Sequence, residues 1–106
     1  MSTCSTHALD AALGVPAAGL PVTLRDSAEV TLAEAVTDAD GRVRFPADLG
    51  SGPHSLTFAT GPWFAAAGRD TFFPEVRLTF TVPADQQHHH VALLLSPFAY
   101  TTYKGS

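Results

Sequence analysis

The run Val76-Arg77-Leu78-Thr79-Phe80-Thr81-Val82 alternates apolar and polar side chains without a break. A period of two puts every apolar residue on one face of an extended strand, which no helix can do. Val22-Thr23-Leu24-Arg25 and Leu56-Thr57-Phe58-Ala59 repeat the pattern, and Val30–Val36 carries a weaker form of it. The breaks between these runs are chemically explicit. Pro16-Ala17-Ala18-Gly19 precedes the first clear strand, and Asp38-Ala39-Asp40-Gly41 ends on the Asp-Gly pair that supplies positive φ in a hairpin. Ser51-Gly52-Pro53 and Pro83-Ala84-Asp85 close other segments. Short strands and turns at this spacing predict an all-β fold, an antiparallel β-sandwich. One stretch departs from the rhythm: Pro62-Trp63-Phe64-Ala65-Ala66-Ala67 opens with a proline suited to a first helical turn and stops at Gly68, which predicts one short helix.

The length of 106 residues sets the domain organisation at a single unit spanning 1–106. Charged residues make up 15% and hydrophobic residues 45%, a balance that argues against disorder and leaves apolar surface for self-association. The net charge is −4, with lysines and arginines scattered singly. No basic stripe is offered to phosphates, so nucleic acid is not an expected partner. The longest strongly apolar stretch, Val91–Leu95, is too short to span a bilayer, and no secretory leader is visible at Met1. A soluble, cytoplasmic protein is expected. Cys4 is the only cysteine, which excludes an internal disulfide and a cysteine-based zinc site.

The last nineteen residues combine a histidine cluster, an apolar strand and an aromatic-hydroxyl tail. Chain ends usually fray. Here Val91–Leu95, Phe98, Tyr100 and Tyr103 are expected to tie the end down, making it part of the working fold. Of five histidines, His88 and His90 stand two apart, so in a strand they share a side and His89 faces the other. Two imidazoles on one side suit proton transfer near neutral pH or metal binding, although no carboxylate stands at ligand spacing; the alternative is plain surface or turn histidines on the polar stretch after Pro83. His7 falls in an expected opening strand, and Arg42 follows the Asp40-Gly41 turn directly. An arginine there is either a solvated strand-edge residue or a rigid fork for a carbonyl-rich ligand. Ser96 lacks a nucleophile-elbow setting and Cys4 has no activating neighbour in sequence, so a nucleophilic hydrolase is disfavoured.

Several of these pieces occur together in one family. Ser5-Thr6-His7-Ala8-Leu9-Asp10, Gly19-Leu20-Pro21-Val22, Asp40-Gly41-Arg42-Val43, Phe72-Phe73-Pro74-Glu75-Val76 and the closing segment 88–106 resemble the 5-hydroxyisourate hydrolases, the transthyretin-like proteins. The resemblance covers essentially the whole chain. It implies a transthyretin-like sandwich of two four-stranded sheets with one short helix, assembled as a homotetramer with sites in a channel between subunits. The implied reaction opens the six-membered ring of 5-hydroxyisourate in urate degradation, giving 2-oxo-4-hydroxy-4-carboxy-5-ureidoimidazoline. The implied catalytic residues are His7, Arg42 and His90. Tyr103 and Ser106 join His7 and Arg42 in binding substrate, and neither a metal nor an organic cofactor is required. His7 and His90 are expected to divide the roles of base and acid between them, with the order left open. This chain departs from the family pattern at three points. Lys104 replaces the arginine of Tyr-Arg-Gly-Ser, while His89 and Ala92 stand where the family has tyrosine and proline in His-Tyr-His-Val-Pro. The alternative within the fold is a non-catalytic carrier of an aromatic hormone, in which the histidine and terminal-motif positions are replaced.

Overall fold

The computed structural model describes residues 2–85 and 87–105. In chain order the strands are β1 (Ser2–Asp10), β2 (Val15–Pro16), β3 (Pro21–Asp26), β4 (Thr31–Val36), β5 (Arg42–Leu49) and β6 (Gly52–Phe58). The helix α1 (Thr60–Ala66) follows, then β7 (Val76–Val82), β8 (His88–Leu95) and β9 (Tyr100–Gly105). One sheet has the order β4-β3-β6-β7, antiparallel throughout. In the other, β8 lies between β1 and β9, while β5 and the two-residue β2 both pair with the opposite edge of β1. Because β5 meets Ser2–His7 and β2 meets Leu9–Asp10, these two share that edge end to end. The sheet is thus five-stranded by count but four strands wide.

Two differences from the sequence reading have physical causes. The β1–β8 pair is parallel, running from Thr3 opposite His88 to Asp10 opposite Leu95. Alternation reports which face a residue occupies and carries no sign of strand direction, so the purely antiparallel expectation fails there. Strand β4 begins at Thr31 and not Val30, because the preceding turn is held by Asp26. Its carboxylate accepts from the N–H groups of Ala28 and Val30 at 2.9 and 3.0 Å.

The core lies between the sheets, where the period-two faces meet. Val22, Leu24, Leu56, Phe58, Val76 and Leu78 come from one sheet, and Cys4, Ala8, Phe45, Val91, Leu93 and Leu95 from the other. Burial pushes the Cys4 thiol up to about 12, so it stays protonated and inert. Helix α1 closes one side with Phe64 fully buried. Trp63 Nε1 donates to the Ala18 carbonyl at 2.8 Å and ties the helix to the loop before β3.

Asp10, 1% exposed at its side chain, fastens the end of β1. Its Oδ1 accepts from the N–H groups of Ala12 and Leu13 at 3.1 and 3.0 Å, and Arg69 donates to its Oδ2 at 2.6 Å. Desolvation works to raise the Asp10 pKa, but the bond from Arg69 and the two backbone donors outweigh it and hold the carboxyl below its usual range. A depressed carboxylate contributes stability above its unfolded pKa of about 3.9, and that contribution disappears as pH falls through the folded value. Arg69→Ala strands a buried charge and is expected to cost about 3 kcal/mol at pH 7. Urea unfolding of variant and wild type checks this, and the gap between them should shrink below about pH 4 as Asp10 protonates.

Candidate active site

The candidate residues occupy the outer face of the β5–β1–β8–β9 sheet. On β1 the residues Thr3, Ser5 and His7 alternate with buried Cys4, Thr6 and Ala8. On β8, His88 and His90 alternate with His89 and Val91. His89 is 4% exposed and turned toward the interior, as the two-residue spacing requires. Register then sets the neighbours. Arg42, His7, Ala92 and Tyr103 lie in one row across four strands, and Arg44, Ser5, His90 and Gly105 lie in the next. Strands in a sheet stand about 4.8 Å apart, so side chains in adjacent rows on one face can meet.

Arg42 is placed by the turn before β5. Asp38 Oδ1 accepts from the N–H groups of Asp40 and Arg42, each at 2.9 Å, and Gly41 N–H donates to Asp38 O at 2.9 Å. Gly41 has φ +76°, and a Cβ there would lie 2.3 Å from the backbone oxygen of Ala8. Glycine is therefore demanded twice over, by conformation and by the approach of β1. Its carbonyl accepts from Ala8 N–H at 2.8 Å, which locks the turn beside His7. Arg42 is exposed on the edge strand, and its backbone pairs with His7.

His90 is held by Ser5 and by the backbone of β9. Its Nδ1 lies 2.7 Å from Ser5 Oγ. At the next residue along β8, Thr6 Oγ1 donates to Val91 O at 2.6 Å and pins β8 to β1. On the β9 side, the imidazole ring occupies the space a Gly105 side chain would fill, with the ideal Cβ 2.3 Å from His90 Cδ2. Desolvation, followed by the nearby Arg42, His7 and His88, lowers the His90 pKa below the ordinary histidine value. Its neutral form therefore prevails at pH 7.

Among the sequence-predicted residues, His7, Arg42, His90 and Tyr103 come together on one face, and Ser106 lies outside the described residues. Of the aromatic anchors expected of the tail, Tyr100 meets the Phe73 ring edge-on with centroids 5.1 Å apart, whereas Phe98 and Tyr103 are 69% and 56% exposed. Main-chain pairing of β9 with β8, from His90 opposite Gly105 to Leu95 opposite Tyr100, also holds the tail. A groove of about 500 Å³ between β7 and the β8–β9 ribbon touches His90, Tyr103 and Lys104 but neither His7 nor Arg42. The site is thus an open sheet face that only borders the groove. Sequence reasoning missed Thr3, Ser5 and the packing role of Gly105. The alternation of Thr3, Ser5 and His7 was the available signal, but only the parallel β1–β8 register turns it into contacts.

The sequence profile of the HIUase/Transthyretin family matches residues 4–105. The chain belongs to this family. A 5-hydroxyisourate hydrolase of Caulobacter vibrioides is 46% identical, with all of both chains covered. The family fold is equally plain in three dimensions. The solved structure of Klebsiella pneumoniae 5-hydroxyisourate hydrolase superposes with a TM-score of 0.91 at 42% identity, covering all of each chain. Sea bream transthyretin in complex with thyroxine superposes with a TM-score of 0.87 at 26% identity, covering 96% of this chain and 93% of the other. One scaffold thus serves both a hydrolase and a protein that binds thyroxine, and fold alone does not choose between such roles.

Proposed function

We propose that this chain hydrolyses 5-hydroxyisourate, opening its six-membered ring in urate degradation to give 2-oxo-4-hydroxy-4-carboxy-5-ureidoimidazoline. The juxtaposition of His7, His90 and Arg42 on one sheet face carries the reading. A carrier of an aromatic ligand needs no pair of imidazoles beside a guanidinium, whereas ring hydrolysis does. The hydrolase names of the Caulobacter and Klebsiella relatives support the same choice.

Water adds its oxygen to a ring carbonyl carbon while one imidazole takes its proton. The carbon–nitrogen bond then breaks, and the ring nitrogen receives a proton from the histidine pair. A neutral, desolvated His90 is suited to the first step. Arg42 meets the substrate carbonyls and stabilises the oxyanion formed at the attacked carbon, a contribution of about 3 kcal/mol for such donors. Tyr103 and Ser106 bind substrate. No metal or organic cofactor takes part.

The whole of 1–106 acts as one domain, a cytoplasmic homotetramer whose neighbouring subunits close the open face into a channel. Exposed Leu13, Phe72, Phe98 and Tyr103 supply apolar surface for that assembly. No helix among the described residues is long and apolar enough to cross a membrane.

Purified protein is expected to accelerate the ultraviolet loss of 5-hydroxyisourate made fresh from urate, with a chelator present, and light scattering should report a tetramer. Because His90 titrates below its ordinary value, kcat/KM should stay high on acidification until below about pH 6.5. Decay at the spontaneous rate sinks the hydrolase reading.

A further inference from the structure

Beyond the two candidate catalytic histidines, the outer face carries a chain of hydrogen-bonding groups along the β1–β8 seam. His90 Nδ1 lies 2.7 Å from Ser5 Oγ, and Ser5 Oγ lies 2.9 Å from His88 Nε2. His88 Nδ1 lies 2.7 Å from Thr3 Oγ1, which reaches the Gln87 carbonyl at 3.4 Å. Hydroxyl and imidazole alternate from the candidate site to the backbone at the start of β8. The parallel register makes this possible, because Thr3 stands opposite His88 and Ser5 opposite His90.

Each hydroxyl has one proton to donate, and each neutral imidazole has one donor and one acceptor nitrogen. With the Gln87 carbonyl, 3.4 Å from Thr3 Oγ1, taken as the terminal acceptor, the chain runs in one direction. Thr3 donates to Gln87 O and therefore accepts from His88 Nδ1–H. His88 Nε2 is then a bare acceptor that takes the Ser5 proton. Ser5 Oγ in turn accepts from His90 Nδ1–H. With its proton held on Nδ1, His90 presents an unprotonated Nε2.

We propose that Thr3, His88 and Ser5 are positioning residues that hold His90 in the Nδ1–H tautomer, leaving Nε2 as the nitrogen that takes the proton from water. This rests on the hydrolase reading for its purpose and on the Thr3–Gln87 contact for its direction. It assigns the base role to His90 and leaves His7 as the partner that protonates the leaving nitrogen. A tautomer fixed by the bond at the other ring nitrogen is how imidazoles are commonly oriented for such work. The charged and titratable groups around His90 include His7 on β1, Arg42 and Arg44 on β5, His88 on its own strand, and Tyr103 and Lys104 on β9. Ser5 adds none, so its removal alters the tautomer without deleting a charge.

Ring nitrogen-15 NMR at a pH where His90 is neutral tests the assignment directly. Wild type should show a protonated Nδ1 and an unprotonated Nε2 at His90. Ser5→Ala should show mixed tautomers, a kcat lower by about 10- to 100-fold, little change in KM and a shifted acid limb of kcat. Ser5→Thr, which keeps the hydroxyl, should restore tautomer and rate together. Thr3→Val provides a second break at the far end and should loosen the same tautomer. An Nε2–H tautomer in wild type overturns the proposal, as does Ser5→Ala with unchanged tautomer and kcat. A wild type with the assigned tautomer but no turnover would sink the hydrolase reading and leave the hydrogen-bond chain intact.

Discussion

His90→Ala is expected to lower kcat for 5-hydroxyisourate by about two to four orders of magnitude while the protein stays folded. The imidazole lies on the outer face of the sheet, half-buried, and the core packs on the opposite side of β8 through His89, Val91 and Leu93. Truncation therefore removes a functional nitrogen and a bond to Ser5 without opening a cavity in the sandwich. An activity assay beside thermal unfolding separates the two effects. The adjacent His89 provides the control. At 4% exposure it belongs to the interior, so His89→Ala should lower the unfolding midpoint more than His90→Ala does. If His90→Ala retains half its activity, the site is misassigned.

Gly41→Ala is expected to destabilise the fold by about 3 kcal/mol and to reduce activity as well. A residue with a Cβ pays about 1–2 kcal/mol at positive φ. The new carbon would also press on the Ala8 carbonyl from 2.3 Å, where the obstacle is β1 backbone and cannot rotate away. Relief requires the turn to lift from β1, which weakens the Ala8 N–H to Gly41 O bond and moves Arg42 away from His7. Urea unfolding measures the first effect, and kcat/KM of the folded fraction measures the second. A variant as stable as wild type would show that the Asp38–Arg42 turn does not govern the placement of Arg42.

Much of the fold was legible because alternation is a local property. Val76–Val82 is a strand to the residue, and the helix lies where Pro62 and Gly68 bracket an alanine-rich run, beginning two residues early at Thr60. The outward pairing of His88 with His90 likewise needed only the strand period. Strand β9 was harder to foresee, since Tyr100-Thr101-Thr102-Tyr103 reads as a tail until its ladder with β8 is seen. Strand β5 contains Pro46, which is tolerated because β5 is an edge strand and the missing donor interrupts no central ladder.

The candidate site divides along the same line. The amino-acid sequence by itself determined which side chains share a strand face, where Arg42 follows a glycine turn, and to which family the chain is similar. Those are consequences of chain period, local turn chemistry and ordered motifs. The tertiary structure alone decided which strands lie side by side, in which direction and in which register. The parallel β1–β8 pairing sets Ser5 between His88 and His90, and the β8–β9 pairing lays His90 against Gly105. These contacts join residues more than eighty positions apart or folded back from the chain end. Strand order and register are set by how both sheets bury their apolar faces together, a property of the whole molecule that no local stretch of sequence carries.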